Sequence, residues 1–257
     1  MTSRPQTLTS VSNAVRVLKS FTTTHREWGV SDLARSLDLG KSTVHRLMAT
    51  LCEEGMLEQD PMSGRYRLGL VAFDLAAAVP RRYDLHEAVL SPLTELRNRT
   101  GETVQVAVLD GREVVYIERL DSPHTLRMFL EVGRRNSAHS TATGKVLLAH
   151  LPQARLDHLL RGWRLNTVTE HSITDHEALR KALREVRRQG YAENRNESEV
   201  GVISYAAPIR DATGSVVAAV SVAGPAERLG DLALPMVQAV METGAQASRR
   251  MGHRAVA

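Results

Sequence analysis

The sequence predicts an α+β protein with a helical first part and a larger mixed second part. Three observations carry this prediction. Apolar residues recur at helical spacing over residues 11–54, two short extended segments follow, and the remainder alternates strand-like runs with amphipathic helices. A chain of 257 residues is long enough to form two domains of ordinary size.

The composition is that of a globular protein. Apolar residues make up 42% and charged residues 24%, which excludes a disordered or fibrous chain. No apolar run reaches the roughly eighteen residues that a membrane-spanning helix needs, and residues 1–10 are polar where a secretory signal would be apolar. A single cysteine, Cys52, excludes an internal disulfide and a multi-cysteine metal site. We therefore expect a cytoplasmic protein without membrane contact.

The charge balance permits a nucleic-acid partner without requiring one. The 33 Lys and Arg residues and the 29 Asp and Glu residues leave a net charge of +4. Aromatic residues make up only 4%, which is too few for the stacking platforms of single-strand or RNA binders. Composition therefore favours duplex DNA over other nucleic acids.

Three helices are predicted in close succession. Ser31 is placed to cap the second helix, and the third runs from about Ser42 to Glu54. The first helix is predicted to bury one stripe, made of Val11, Ala14, Val15, Leu18 and Phe21.

A hairpin is predicted directly after the third helix. Leu57–Gln59 and Tyr66–Leu68 are extended segments on either side of residues 60–64, whose sequence Asp-Pro-Met-Ser-Gly is typical of a turn. Three helices followed by such a hairpin make a winged helix-turn-helix, in which the third helix enters the major groove of DNA.

The third helix has an apolar and a polar face. Arg can bind guanine bidentately, Ser and Thr hydroxyls can contact bases or phosphates, and Lys can neutralise phosphate. Such a polar stretch taken alone is more often the solvated face of an ordinary helix, but the order of helix, turn, helix and basic hairpin favours DNA. The candidate contacts are Lys41, Ser42, Thr43, His45 and Arg46 in the helix, with Arg65 and Arg67 in the wing.

The second part is predicted to be mixed α and β. A linking helix over residues 69–79 and a break at Pro80-Arg81-Arg82 give domains of 1–80 and 81–257. Beyond the break, strands are predicted at 103–109, 114–120, 125–132, 202–209 and 215–222, with helices at 85–96, 141–150, 175–189 and after Pro235.

Nothing in the second domain has the pattern of a catalytic centre. The run Thr143-Gly144-Lys145 superficially looks like a phosphate-binding loop, but the required earlier Gly and the following Ser or Thr are missing. The histidines are dispersed without metal-ligand spacing, and a surface loop accounts for Glu193, Glu197 and Glu199. We expect no enzyme activity, no cofactor and no metal.

A small-molecule site is easier to support. A helix that begins near Thr141 would present free backbone N–H groups and a partial positive charge to an anion such as a carboxylate. The alternative is that Ser140 or Thr141 simply caps this helix.

Several motifs resemble those of the IclR-type bacterial transcription regulators, in the same order and over nearly the whole chain. The N-terminal likeness lies in Val-Ser-Asp-Leu-Ala at 30–34, Lys-Ser-Thr-Val-His-Arg-Leu at 41–47 and Arg-Tyr-Arg-Leu-Gly at 65–69. The C-terminal likeness lies in His-Ser-Thr-Ala-Thr-Gly-Lys at 139–145, Ala-Pro-Ile at 207–209 and Ser-Val-Ala-Gly-Pro at 221–225.

This resemblance implies a GAF-like effector-binding domain after the winged helix-turn-helix. It also implies a homodimer, or a dimer of dimers (a homotetramer) joined through the effector domains, that binds double-stranded operator DNA and senses a small-molecule effector, which we expect to be an organic acid. The positions that match the family's pocket are Met128, Ala142, Thr143, Asn194, Ser204 and Ser221. Each also has a packing alternative, with Met128 as core filler and the small residues as spacers.

Two departures from the family pattern leave the ligand open. Asn194 stands where some members carry Asp, and Ala223 stands where some carry Ser. Arg134 and Arg135, in the loop before the capped helix, would pair with an anionic effector if either turned inward, although a solvated loop is the ordinary role. Two other functions remain open, an enzyme fused to a DNA-binding module and a winged helix that binds proteins.

Overall fold

The computed structural model describes residues 8–22, 24–77, 82–128 and 132–254. The chain divides into two compact units, residues 1–81 and 82–257. Within the described ranges, no helix is long and apolar enough to cross a membrane. Pro80 and Arg81 of the predicted break lie outside the described residues.

The first unit contains the predicted three helices, a hairpin and a fourth helix. In chain order its elements are α1 (Thr9–Lys19), α2 (Val30–Leu37), α3 (Lys41–Glu53), β1 (Leu57–Gln59), β2 (Tyr66–Leu68) and α4 (Leu70–Ala77). Gly29, and not Ser31, is the N-cap of α2, so Ser31 lies inside the first turn of that helix.

The core of this unit corrects the predicted stripe on α1. Val17 is fully buried, whereas Val11 is 57% and Val15 is 42% exposed. Residues three and four apart share one face of a helix, so the buried face contains Val17 and Phe21, which pack against α2 and α3. Val11 and Val15 lie outside that face, where the described elements of the first unit leave them largely exposed.

The hairpin is tied to the helical part through Trp28. Glu58 pairs with Arg67 in the register of β1 and β2, and Trp28 forms a two-way backbone bridge with Tyr66 at 2.9 and 2.8 Å. The Asp60 carboxylate accepts a hydrogen bond of 2.7 Å from the Met62 N–H and so closes the turn. The wing is therefore held at both ends.

The second unit is a six-stranded antiparallel sheet with helices on both faces. Its first elements are α5 (Arg82–Thr100), β3 (Thr103–Asp110), β4 (Glu113–Leu120), β5 (Arg135–Ser137), a 3-10 turn (Ala138–Ser140), α6 (Ala142–Ala149), α7 (Gln153–Leu160) and α8 (His176–Gln189). They are followed by β6 (Ala192–Arg195), β7 (Val202–Arg210), β8 (Val216–Pro225), α9 (Ala226–Leu229), a 3-10 turn (Gly230–Leu232) and α10 (Ala233–Arg250).

The strand order is β5-β4-β3-β8-β7-β6. Alternate side chains of a strand point to opposite faces of a sheet, and both faces are apolar here. One face packs against α6, α7 and α8 through residues such as Ala206 and Val146. The other packs against α5 and α10 through residues such as Val106, Leu93 and Val240.

The strand predicted at 125–132 is wrong for its described residues, 125–128 and 132, none of which pairs with a strand of the sheet. Two backbone carbonyl groups of this segment accept hydrogen bonds from arginine side chains instead of from a neighbouring strand. Arg228 donates to the Leu126 oxygen and Arg119 donates to the Met128 oxygen, both at 2.9 Å. The edge strand is β5, which pairs with β4. The prediction of a surface loop around Glu193 is also wrong, because Glu193 belongs to β6, which pairs with β7.

Candidate functional site

The predicted recognition residues are all exposed on α3. Val44, Met48 and Leu51 form the buried face, and Lys41, Ser42, Thr43, His45 and Arg46 are exposed. Successive residues of a helix are about 100° apart, so Ser42 and Arg46 lie opposite the buried face. Arg46 is therefore the longest side chain at the centre of the outward surface.

The start of α3 adds a second feature. Its N-cap is Gly40, which offers no side chain to the N–H groups of the first turn. Free N–H groups at a helix N-terminus bind phosphate well. Lys41 and Ser42 stand at this end, so backbone, hydroxyl and ammonium donors come together there.

The two wing arginines differ in their surroundings. Arg67 donates to the Glu58 carboxylate at 3.0 and 2.9 Å, whereas Arg65 lies 4.0 Å from the Glu27 carboxylate. Exposed ion pairs of this kind are worth only about 0–1 kcal/mol. Both side chains are about half exposed, and Arg65 is the less engaged of the two.

In the second unit, five of the six predicted pocket residues surround one cavity of about 50 Å³: Met128, Thr143, Asn194, Ser204 and Ser221. Ala142 does not line it. Ala142 is 1% exposed and belongs to the core between the sheet and α6. The N-terminal turn of α6 thus presents Thr143 to the cavity and turns Ala142 toward the core.

The cavity floor is a polar row across four adjacent strands. The register pairs Asn194 with Ser204, Ser204 with Ala223, and Ser221 with Gln105. These side chains share the face that is apolar elsewhere, where Ala107, Ala206 and Ala219 pack against α6. Burying polar side chains at one end of an otherwise apolar face costs free energy unless they form hydrogen bonds with the protein or with a ligand.

Two cavity side chains hold polar atoms without a well-formed hydrogen bond. Gln105 is 1% exposed, and its buried amide nitrogen has no hydrogen-bond partner among the described residues. Within the described ranges, the Thr143 hydroxyl likewise makes no hydrogen bond of good geometry, although it faces Tyr116. Burial raises the pKa of Tyr116, against the opposing effects of Thr143, Asn136 and the positive charge of Arg134. The cavity therefore presents donors that a ligand oxygen would satisfy.

The opposite wall is a turn organised by Asn194. Its side-chain oxygen accepts from the Glu197 N–H, and its nitrogen donates to the Ser198 hydroxyl, both at 2.8 Å. Glu197 forms a buried ion pair with Lys145 of α6. Burial raises the pKa of Glu197, while the Lys145 charge opposes that rise. Asn194 thus lines the cavity mainly by shaping its wall.

The sequence analysis did not single out part of the lining. The residues it missed are Gln105, Tyr116, Asn136, Ser198 and Val202, whereas Thr141 was named there as a helix cap or anion site and Glu199 as a surface-loop residue. Gln105 had a signal, because it is the one amide in the apolar run from Val104 to Val108. The two arginines before α6 differ in their surroundings. Arg134 lines the cavity, where an anionic effector could bind, whereas Arg135 pairs with Asp110 and Glu113 at the surface.

The helix start that was predicted as an anion site has its own cap. The Thr141 hydroxyl accepts from the Gly144 N–H at 3.1 Å, and Thr141 also lines the cavity. Capping and cavity lining therefore coexist at this residue. Among the residues that the structure describes, no group of His, Cys, Asp and Glu is arranged to hold a metal ion.

A winged helix-turn-helix with an exposed basic helix, followed along the chain by an α/β unit with a polar cavity, is the architecture of a ligand-binding transcription regulator. Family models narrow this class. The IclR helix-turn-helix domain matches residues 10–61, and the bacterial transcriptional regulator IclR C-terminal domain matches residues 77–249. The chain belongs to the IclR family of transcription regulators, with a DNA-binding domain and an effector-binding domain.

Curated relatives agree along almost their whole length. The HTH-type transcriptional regulator XynR of Escherichia coli K12 is 36% identical over 247 residues, which cover 96% of this chain and 98% of XynR. The HTH-type transcriptional regulator KdgR of the same strain is 35% identical over 251 residues, 97% of this chain and 95% of KdgR. Both are named as regulators and not as enzymes.

Solved structures show the same fold. An IclR homolog from Microbacterium hydrocarbonoxydans, complexed with 4-hydroxybenzoate, has a TM-score of 0.84 at 29% identity and covers 95% of this chain and 99% of that one. The IclR of Thermotoga maritima has a TM-score of 0.76 at 28% identity, with coverage of 95% and 99%.

Proposed function

We propose that the protein binds operator DNA as a dimer or dimer of dimers, through α3 and the wing, and that a small organic acid in the cavity changes this binding. Residues 1–80 then serve DNA recognition and residues 81–257 serve effector binding and oligomerisation, in the cytoplasm where the operator is accessible. The observation that carries the effector part of the proposal is the buried amide nitrogen of Gln105 in a polar cavity, which has no hydrogen-bond partner in the described part of the chain. The exposed Lys41, Ser42 and Arg46 of α3 support the DNA-binding part.

The cavity chemistry favours a short, hydroxylated or oxo acid. Its lining supplies amide, hydroxyl and guanidinium groups from Gln105, Ser221 and Arg134, with few apolar surfaces. A volume of about 50 Å³ is small beside the roughly 300–1,000 Å³ of typical ligand sites. The neighbour's 4-hydroxybenzoate supports the carboxylate class, while the polar lining here favours a smaller and less aromatic acid.

Ligand action requires different affinities for two arrangements of the protein. Thr143 on α6 and Ser221 on β8 line the same cavity, so a ligand that bridges them would favour one spacing of helix and sheet. That spacing is the proposed link to DNA affinity.

Gel shifts with the DNA upstream of the protein's own transcription unit test the function. We expect a sequence-specific shift at low salt that a small hydroxy or oxo acid alters. The absence of any shift, with or without such acids, would contradict the regulator function. Chemical turnover of a bound acid would favour the fused enzyme instead.

Dimer formation is supported by the surface of α4. Leu70, Phe73 and Leu75 are 76%, 73% and 56% exposed, an apolar surface that a monomer rarely leaves open. Two winged helices on one palindrome would also double the contacts to DNA.

We expect Phe73→Glu to shift the monomer–dimer equilibrium toward monomer by roughly tenfold or more, because a buried Phe stabilises an interface by about 1.5–3 kcal/mol. Sedimentation over a concentration series measures this. Val168→Glu, at a 49% exposed valine of the second unit, is the matched control and should leave the equilibrium unchanged. Equal behaviour of the two variants would remove α4 from the interface.

For the effector site, we expect a small hydroxy or oxo acid to raise the melting temperature and Ser221→Val to reduce that rise. The substitution removes a buried hydroxyl that faces the ligand and leaves the strand intact. Thermal shifts across a panel of such acids measure it. Thr243→Val, which removes another buried hydroxyl on α10, should leave the rise unchanged. A full rise in Ser221→Val would exclude Ser221 from the site.

A further inference from the structure

A second groove lies between β7 and α10, and it shares no lining residue with the effector cavity. Its volume is about 530 Å³, within the usual range for small-molecule sites. The floor is apolar and consists of Ala207, Pro208, Met241 and Ala245. Its polar lining is mostly basic, with Arg210, Arg249, His253 and Arg254 beside Ser248 and Gly190.

The end of α10 is folded so that it shapes this rim. The His253 N–H binds the Ser248 oxygen at 2.9 Å, and the Gly252 N–H binds the Arg249 oxygen at 3.0 Å. With Gly252 at φ +82°, this is the Schellman pattern that ends a helix and turns the chain back. His253 and Arg254 are thereby placed beside the groove.

The charges at the groove are of one sign. Within the described part of the chain, no Asp or Glu lines it, and none of the four basic side chains takes part in an ion pair within 4.0 Å. The Oδ1 atom of the adjacent Asp211 accepts hydrogen bonds from the N–H groups of Thr213 and Ser215 in the β7–β8 turn. Arg210 donates to the Gly214 carbonyl, a neutral group. His150 lies close enough to Arg210 to be affected by its charge. The pKa of His150 is lowered mainly by burial and further by the positive charges of Arg210 and Arg187.

We propose that this groove binds an amphipathic carboxylate at a site separate from the effector cavity. An apolar ring would lie against Met241 and Ala245, and its carboxylate would pair with the guanidinium groups of the rim, Arg249 and Arg254. Charge complementarity selects the anion, and the apolar floor selects against small inorganic ions.

Methionine methyl NMR distinguishes this groove from the effector cavity, because Met241 lines the first and Met128 lines the second. The full chain carries ¹³C-methyl methionine, with the two signals assigned by Met241→Leu and Met128→Leu. The probe is 2-naphthoate, whose ring shifts nearby methyl signals, and its neutral analogue is 2-naphthalenemethanol.

We expect 2-naphthoate, but not the neutral alcohol, to shift the Met241 signal saturably. The double variant Arg249→Ser/Arg254→Ser should weaken this binding about tenfold or more, since hydrogen bonds between charged groups are the strong ones. Ser221→Val should leave it unchanged. Lys181→Ser/Arg184→Ser, which removes two exposed charges from α8, is the matched control and should also bind normally.

Several outcomes overturn the proposal. They are an unchanged Met241 signal, an equal shift with the alcohol, and equal weakening in the α8 control. A Met241 signal that changes with protein concentration alone would assign the groove to contacts between copies. The NMR experiment does not measure DNA binding, so the groove proposal can fail while the regulator function holds, and the reverse.

Discussion

Gly144→Ala is expected to destabilise the effector domain severely. A Cβ at Gly144 would lie 2.1 Å from the backbone oxygen of Ala138 and 2.5 Å from its Cα. Backbone atoms cannot move aside as a flexible side chain does, so α6 would have to shift from the 3-10 turn that precedes it. Overpacking in a core costs about 1–3 kcal/mol and occasionally more, and this backbone contact belongs at the upper end.

The loss would extend to the cavity. Gly144 donates to the Thr141 cap, and the neighbouring Thr143 and Lys145 form the cavity wall and the ion pair to Glu197. A shift of α6 therefore disturbs all three together. Any Gly144→Ala protein that folds should have lost its response to small acids.

Urea unfolding followed by circular dichroism measures the free energy of unfolding of Gly144→Ala, of its control variant and of the unmodified protein. Gly230→Ala is the matched control, since Gly230 has helical backbone angles, with φ −57° and ψ −44°, and nothing within 4 Å of an added Cβ. We expect this control to be neutral or slightly stabilising. Equal stability of the two variants would show that the contact at Ala138 relaxes freely.

Local patterns account for the features that the sequence predicts well. The helical period of residues 41–53 placed Val44 inside and Arg46 outside, and the turn residues at 60–64 placed the wing. α6 begins at Ala142, within a residue of its predicted start, because Thr141 is a good N-cap.

Features that depend on distant partners were harder to predict. Val17 is buried in place of Val11 and Val15 because the packing of α2 and α3 determines which face of α1 is covered. The edge strand lies at 135–137 because β4 supplies its pairing. Gln105 joins the candidate site only through its register with Ser221, which the sequence around either residue does not encode.

Arg46 has a second possible role that bears on its proposed contact with DNA. Thr43 and Arg46 line a groove beside α1, together with Val11 and Leu47. An arginine stem often covers apolar surface while its guanidinium stays in water. Loss of DNA affinity in a variant must therefore be separated from loss of packing against α1.

We expect Arg46→Ala to lower affinity for the specific operator by roughly 1–3 kcal/mol per half-site, because a bidentate arginine–guanine contact is worth about that much discrimination. Affinity for random DNA should fall much less. Arg65→Ala in the wing should weaken binding to all sequences similarly and reduce the salt dependence by about one ion, as loss of a phosphate contact does. Titrations on operator and random duplexes at several salt concentrations measure both effects.

Arg46→Lys separates the three roles. Lysine keeps the charge and most of the stem but loses the planar fork that binds two guanine acceptors at once. If Arg46 reads a base, Arg46→Lys should lose most of the operator preference, keep its affinity for random DNA and melt like the unmodified protein. If it only contacts phosphate, Arg46→Lys should bind both duplexes normally. If Arg46→Ala instead lowers the melting temperature and weakens both duplexes equally, packing against α1 is its role, and base reading belongs to Ser42, Thr43 or His45, which share the exposed surface of α3.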